Sequence, residues 1–265
     1  MTGRLALPRR RLLTRVLEAG ALGAGALLTL GGCDSLSQSP EVRSALAGAE
    51  SLNRWLQRQL MPREALAREY APGDINPRFR ANGSTEVADP VYRRLAQNGF
   101  ADWRLQVDGL VEQPLSLSLA DLRALPARTQ VTRHDCVEGW SCIGQWTGAK
   151  LSAVLQAARL RPQARYIVFR CADTLEQTLD GSGRYYESID LIDAFHPQTI
   201  LAYDMNGSAL PIAHGAPLRL RVERQLGYKM AKYVMRIEAV DSFAAVGGGQ
   251  GGFWEDRGYE WYAGI

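Results

Sequence analysis

Short runs in which every second side chain is apolar or β-branched punctuate this chain, and they limit its fold more than any other feature. Trp103, Leu105 and Val107 alternate with polar neighbours. After the Asp108-Gly109 turn signal, Leu115, Leu117 and Leu119 do the same. Thr129, Val131 and Arg133 keep the period, and Leu218, Leu220 and Val222 alternate with Arg219, Arg221 and Glu223. Residues 166–171 and 233–240 are runs of strand length, and Asn206-Gly207 signals a hairpin joining residues 200–203 to 209–211. Between these lie segments with helical spacing. Leu151, Val154, Leu155 and Ala158 form one; Val42, Leu46, Ala49, Leu52, Leu56 and Leu60 form another, which Met61-Pro62 should end. Ser118 is placed to cap a short helix through Leu125. Strands with helices interspersed predict a mixed α+β domain with several sheets. With 265 residues, 46% of them hydrophobic, the chain can bury one substantial core.

The stretch Arg133-His-Asp-Cys-Val-Glu-Gly-Trp-Ser-Cys-Ile-Gly-Gln-Trp-Thr-Gly148 is centred on Cys136. A strand precedes it and helical spacing follows, so Cys136 is expected where a strand ends, on a turn feeding a helix. A rigid strand end beside an open loop suits a functional thiol, although an unpaired cysteine is most often a small buried hydrophobe. His134, two residues earlier, would share the face of Cys136 and could orient substrate or move a proton; a packed core histidine is the alternative. Trp140 and Trp146 are expected to wall the pocket.

The first 33 residues form a targeting segment. Arg9-Arg10-Arg11-Leu12-Leu13 resembles a twin-arginine export signal, and residues 19–30 are a Gly- and Ala-rich apolar run. That run is shorter than the ~20 residues a bilayer span needs. Leu30-Gly-Gly-Cys33 resembles the box at which bacterial lipoproteins are cleaved and acylated, so a lipid anchor at Cys33 is expected, with ordinary cleavage and loss of Cys33 as the alternative. Five arginines against one glutamate in this segment outweigh the chain's net charge of +3, which leaves the remainder slightly negative. Nucleic acid is therefore not an expected partner. If Cys33 is lipidated or lost, Cys136, Cys142 and Cys171 remain, an odd number in an oxidising compartment. At least one must stay free or hold a ligand; a Cys136 to Cys142 disulfide is the structural alternative. The three histidines, His134, His196 and His214, show no zinc-ligand spacing.

Four stretches together resemble the molybdopterin-binding catalytic domain of the sulfite oxidase superfamily over about residues 76–265. They are Asp135-Cys-Val-Glu-Gly-Trp-Ser, Gly148-Ala-Lys-Leu, Leu210-Pro-Ile-Ala-His-Gly-Ala-Pro-Leu-Arg219 and Gly227-Tyr-Lys-Met-Ala-Lys-Tyr. The likeness is greatest to its bacterial periplasmic branch, which includes the protein-methionine-sulfoxide reductase catalytic subunit. The resemblance implies a multi-sheet α+β domain holding one molybdenum-molybdopterin, with Cys136 as the thiolate ligand of the metal. It implies cofactor contacts from Asn82, Glu86, Cys171 and His214. For the pterin phosphate it implies Arg219, Lys229 and Lys232, with backbone N–H groups around Met230 and Ala231. Some positions depart from the pattern: His214 stands where close relatives have Asn, Cys171 where the reductase has Thr, and Thr85 where it has an aromatic. Residues 34–75 are expected to be a tether and an N-terminal helix. No residue follows Ile265, so the immunoglobulin-like dimerisation domain of animal and plant relatives is not expected, and a monomer is. The aromatic tail after Gly247 is expected to be a packing strap rather than a gate.

The expected function is periplasmic oxygen-atom transfer, reducing a small S-oxide, N-oxide or oxidised protein side chain. Electrons would come from a membrane b-type haem protein or a cytochrome. The alternatives are a sulfite-oxidase-like direction feeding a cytochrome, which calls for several arginines around the oxo ligand, and a metal-free lipid-tethered binding module on the same fold.

Overall fold

The computed structural model describes residues 39–178 and 183–265. The arginine signal, the apolar run, Cys33 and residues 179–182 lie outside the described residues. Residues up to Asn53 and residues from Arg54 form separate units. The described part of the first is the opening of helix α1 (Pro40–Leu60). The helix stops at Leu60, immediately before Met61-Pro62, where the proline forbids its continuation.

Along the second unit come α2 (Pro90–Gln97), β1 (Leu105–Gly109), β2 (Leu115–Leu117), α3 (Leu119–Ala124), β3 (Ala127–Asp135) and β4 (Ser141–Lys150). There follow α4 (Leu151–Ala158), β5 (Tyr166–Thr174), β6 (Arg184–Asp190), α5 (Leu191–Ala194), β7 (Ile200–Met205), β8 (Ser208–Ala209), β9 (Arg219–Arg221) and β10 (Val234–Val240). Two sheets result. One has the order β2-β1-β10-β5-β6, in which β1 and β10 are parallel and the other neighbours antiparallel. The other has the order β3-β4-β7-β8, with β9 also pairing with β7, all antiparallel.

Alternation did the work expected of it. Leu105 and Val107 are buried while Gln106 between them is exposed. The four apolar residues of α4 at helical spacing are all buried, each worth about 1.5–3 kcal/mol of burial for the larger side chains. One core cluster takes residues from both sheets, Leu105, Ile167 and Ile237 from the first and Leu201 and Leu220 from the second. Ser118 caps α3 in a reciprocal box: its Oγ accepts from Asp121 N–H at 3.0 Å, and Asp121 Oδ2 accepts from Ser118 N–H at 2.8 Å. The tail behaves as a strap, with Phe253 wholly buried and Arg257 paired to Glu176.

One expectation is corrected here. Cys136 lies at the tip of the β3–β4 hairpin, not on a turn feeding a helix. The pairing runs from Ala127 opposite Ala149 to Asp135 opposite Ser141. Cys136 N–H then closes the turn on Trp140 O at 2.9 Å. Helix α4 begins only at Leu151. The intervening strand is hard to read because Gly144, Gly148 and Ala149 interrupt its alternation with side chains too small to mark a face.

Candidate active site

The hairpin tip places Cys136 on the wall of a cavity of about 180 Å³. Asn82, Ser84, Asp173 and Lys232 line it from below the tip, and Glu138 from the tip itself. Aromatic wall comes from Tyr185, Tyr228, Trp254 and Tyr259. The last two are brought in by the tail and stack with centroids 5.3 Å apart. The Cys136 thiol is free and half-buried. Burial pushes it above its ordinary range, so it carries its proton until something displaces it.

Two cations border this cavity, Lys232 in its lining and Arg219 behind it, and among the described residues neither forms an ion pair with a carboxylate. Arg219 on β9 is wholly buried. It donates to His214 O at 3.1 Å and to Asn82 Oδ1 at 3.0 Å, both neutral acceptors, and its Nε has no partner. Burial, with Arg221 nearby, pulls it down to about 9. Lys232 donates to the carbonyls of Asn82 at 2.7 Å, Ala213 at 2.9 Å and Ser84. Burial, reinforced by Arg219, lowers it to about 7. Gly215 makes the approach possible: its φ is +111°, and a Cβ there would meet Lys232 Cβ at 2.9 Å. Burial and the same two cations take His214 down to about 4, so it is neutral at pH 7, and its Nδ1 is unpartnered.

Lys229, three residues before Lys232, is committed elsewhere. Its Nζ bonds Glu187 Oε1 and Glu255 Oε1, each at 2.5 Å, and all three side chains are buried. The expectation that Lys229 offers charge to a phosphate is therefore corrected: two carboxylates have already taken it. His134 is corrected for a related reason. It is wholly buried and outside the cavity lining. Arg221 Nη1 donates to its Nδ1 at 3.2 Å, which leaves the proton on Nε2. That atom faces Gly227, where a Cβ would sit 2.4 Å away, and has no partner. Burial and then Arg219, Arg221 and Lys232 hold the ring well below its ordinary pKa. A neutral, enclosed imidazole is a packing and positioning group. Arg221 in turn is neutralised by Glu223 at 2.6 Å, and both arginines lie over the buried ring of Trp146, at 5.1 Å for Arg219 and 4.4 Å for Arg221.

The remaining sequence candidates divide. Asn82 joins the cations, accepting from Arg219 through its side chain and from Lys232 through its carbonyl. Met230 lines the cavity, but its N–H is used on Gly227 O at 3.1 Å. Ala231 is wholly buried and its carbonyl accepts from Leu220 N–H. Glu86 is exposed, and Cys171 is buried on β5; neither is in the lining. Trp146 and Trp140 do not wall the pocket, since Trp146 lies under the arginines and Trp140 under Arg80, 5.0 Å from its ring centre. Cys142 pairs across the hairpin with His134 as a free thiol. Asp173 was missed. Its Oδ2 accepts from Ser84 Oγ, its Oδ1 is buried without a partner, and burial raises its pKa. No local motif announces it; it is buried only because β5 is an interior strand.

With this geometry established, likeness to known proteins can be tested against it. Residues 92–245 match the model of the oxidoreductase molybdopterin binding domain. The chain belongs to this family. It is 37% identical over 97% of its length, and 87% of the relative's, to a protein of Azospira oryzae. That relative bears the provisional name protein-methionine-sulfoxide reductase subunit YedZ1. It is 30% identical to the protein-methionine-sulfoxide reductase catalytic subunit MsrP of Ralstonia nicotianae, over 86% of this chain and 68% of that one. Among solved structures it resembles the sulfane dehydrogenase SoxCD of Paracoccus pantotrophus at a TM-score of 0.47 and 26% identity, over 53% of this chain and 39% of that one. The likeness is too partial to carry an argument.

The residues present fit the family's cofactor. Two buried cations hydrogen-bonded only to neutral acceptors suit an anion, which the pterin's terminal phosphate would supply to Arg219 and Lys232. Among the described residues no group of three or more His, Cys, Asp or Glu is placed to hold a metal ion. A single thiolate at Cys136 would leave the other coordination positions to ligands the cofactor brings.

Proposed function

We propose that this molybdopterin oxidoreductase reduces S-oxide or N-oxide substrates, the oxidised methionine side chains of proteins among them, in the periplasm after twin-arginine export. Electrons come from a membrane haem partner, and Cys33 carries a lipid anchor. When bound, the molybdenum cofactor supplies oxygen-atom transfer between its +6 and +4 states. Cys136 holds the metal, and its thiol proton leaves when it does so. Arg219, Lys232 and Asn82 hold the pterin end. Removing oxygen from an S-oxide consumes two electrons and two protons and yields a sulfide and water, so the cavity must deliver protons. Asp173 is placed to hold one, because burial keeps its carboxyl protonated to higher pH than usual. Tyr228, Trp254 and Tyr259 pack an apolar sulfur substituent.

The observation that carries the choice of substrate is the charge of the lining. Among the described residues it holds Glu138 and Asp173 against the one cation Lys232, and no arginine. Arg80, the arginine over Trp140, is paired with Glu138 at 3.6 Å. With Asp173 held protonated and Glu138 paired, such a wall suits a neutral oxide and offers a sulfite dianion no cation beyond Lys232, which supports the reductase direction over the sulfite-oxidase one. The test is stopped-flow reoxidation of dithionite-reduced protein from a host that makes the cofactor. Methionine sulfoxide is expected to reoxidise it, and Cys136→Ser to lack about one molybdenum per chain. Failure of every S-oxide and N-oxide to reoxidise a molybdenum-loaded protein would overturn the direction; a metal-free wild type would overturn the enzyme.

A further inference from the structure

Helix α1 is inside out over its last turns. Its polar face is the docked one. Arg58 bonds Asp190 and Asp193, each at 2.8 Å, and lies over Tyr262, while Arg54 lies over Trp261. At 100° per residue, Arg54, Gln57 and Arg58 share one side of the helix, and Leu52, Leu56 and Leu60 share the opposite one. That opposite side is in water: Leu52 is 56% exposed, Leu56 42% and Leu60 78%, with Trp55 at 56% on its flank and Met61 at 45% just beyond. A regular leucine stripe held outward by buried ion pairs is the reverse of what an isolated soluble domain needs.

We propose that this face lies in the surface of a lipid bilayer and sets the orientation of the domain on it. The chain's own course argues for lipid as the occupant. Pro40 opens the helix seven residues after Cys33, so the helix start stays within about 25 Å of any point where residue 33 meets a membrane. The apolar run 19–30 ends just before that point. Trp55 on the edge of a leucine stripe is the side chain that suits the boundary between headgroup and acyl chain. The six intervening residues are then not a spacer holding the domain away from the membrane; the helix continues the contact. The proposal goes beyond the catalytic reading and does not need the lipid on Cys33, because the helix supplies its own apolar area.

The test uses the full chain with Cys33→Ser, which cannot be acylated, on protein-free vesicles of phosphatidylethanolamine and phosphatidylglycerol with brominated acyl chains. Bromine quenching of tryptophan emission is compared with and without Trp55→Phe, so that the difference belongs to Trp55 even if the apolar run also binds. Trp55 is expected to be quenched, and Leu56→Ser with Leu60→Ser to weaken that component at least about tenfold. These residues are exposed, so the unfolding midpoint and molybdenum content should not move. Measuring molybdenum in the same samples keeps a failure of the oxidoreductase reading separate. An unquenched Trp55 overturns the proposal. So does light scattering that shows a dimer which Leu56→Ser with Leu60→Ser converts to monomer, or quenching that appears only in membranes carrying a protein partner.

Discussion

Lys229 and Lys232 are three residues apart, both are buried, and their surroundings are opposite. Lys229 is held by two carboxylates 42 and 26 residues away in sequence, and those carboxylates keep it charged. Lys232 meets only carbonyls and falls to about 7. The same contrast separates Arg221, paired with Glu223, from Arg219, which has only His214 O and Asn82. A buried cation with its counter-ion is part of the fold, whereas one held only by neutral acceptors is suited to bind an anion. The difference is what distinguishes scaffold from binding site here, and identity of residue type does not.

The comparison can be broken most directly at Lys229. Lys229→Met strands two buried carboxylates and should cost about 3–5 kcal/mol of stability, seen as a lower urea midpoint in cofactor-free protein. An equal loss in Lys232→Met would erase the distinction. Instead, Arg219→Met and Lys232→Met should leave the cofactor-free midpoint unchanged or higher. Each should lower retained pterin about tenfold or more, since a charged hydrogen bond is worth about 1.5–3 kcal/mol; pterin fluorescence after oxidation reads this.

A pH series sharpens the same point. Lys232 titrates near 7 folded and about 10.4 unfolded. Between those values the unfolded chain holds more protons, so the stability of cofactor-free protein should rise with pH across that window, by at most about 1.4 kcal/mol per unit. Lys232→Met should remove the rise, and bound cofactor should flatten it. The smallest effect is expected at His214. Its folded value of about 4 lies below the ordinary 6.5, so its contribution is lost as pH falls from 6.5 toward 4. His214→Asn should recover about 1 kcal/mol at pH 5, after allowance for its partial exposure. The part that remains belongs to His134 and His196, which shift in the same direction.

Much of this was legible in one dimension. Cys136, Asn82, Arg219 and Lys232 were singled out by motif, and the structure gathers them around one cavity or directly behind its wall. His134 and Lys229 were singled out by the same means and stand apart. The motif carries residue type and order, but His134 is enclosed by Arg221, Met230 and Gly227, some 90 residues downstream. Asp173 had no local signal, and the tail aromatics Trp254 and Tyr259 read only as a packing strap. They reach the cavity because an interior strand and a docked tail carry them there.

What the sequence determined by itself rests on short-range physics. Period-two alternation made strands, helical spacing made α4, the Ser118 box started α3 and Pro62 stopped α1. Each is settled within a few residues by backbone geometry and local hydrogen bonds. Tertiary structure decided which charges are satisfied and which face of an amphipathic helix is inward. The leucine stripe of α1 reads from sequence only as helical spacing, yet Asp190 and Asp193, over 130 residues away, take Arg58 and leave the leucines outward. Charge compensation depends on partners brought close in space, and the chain order does not contain that distance.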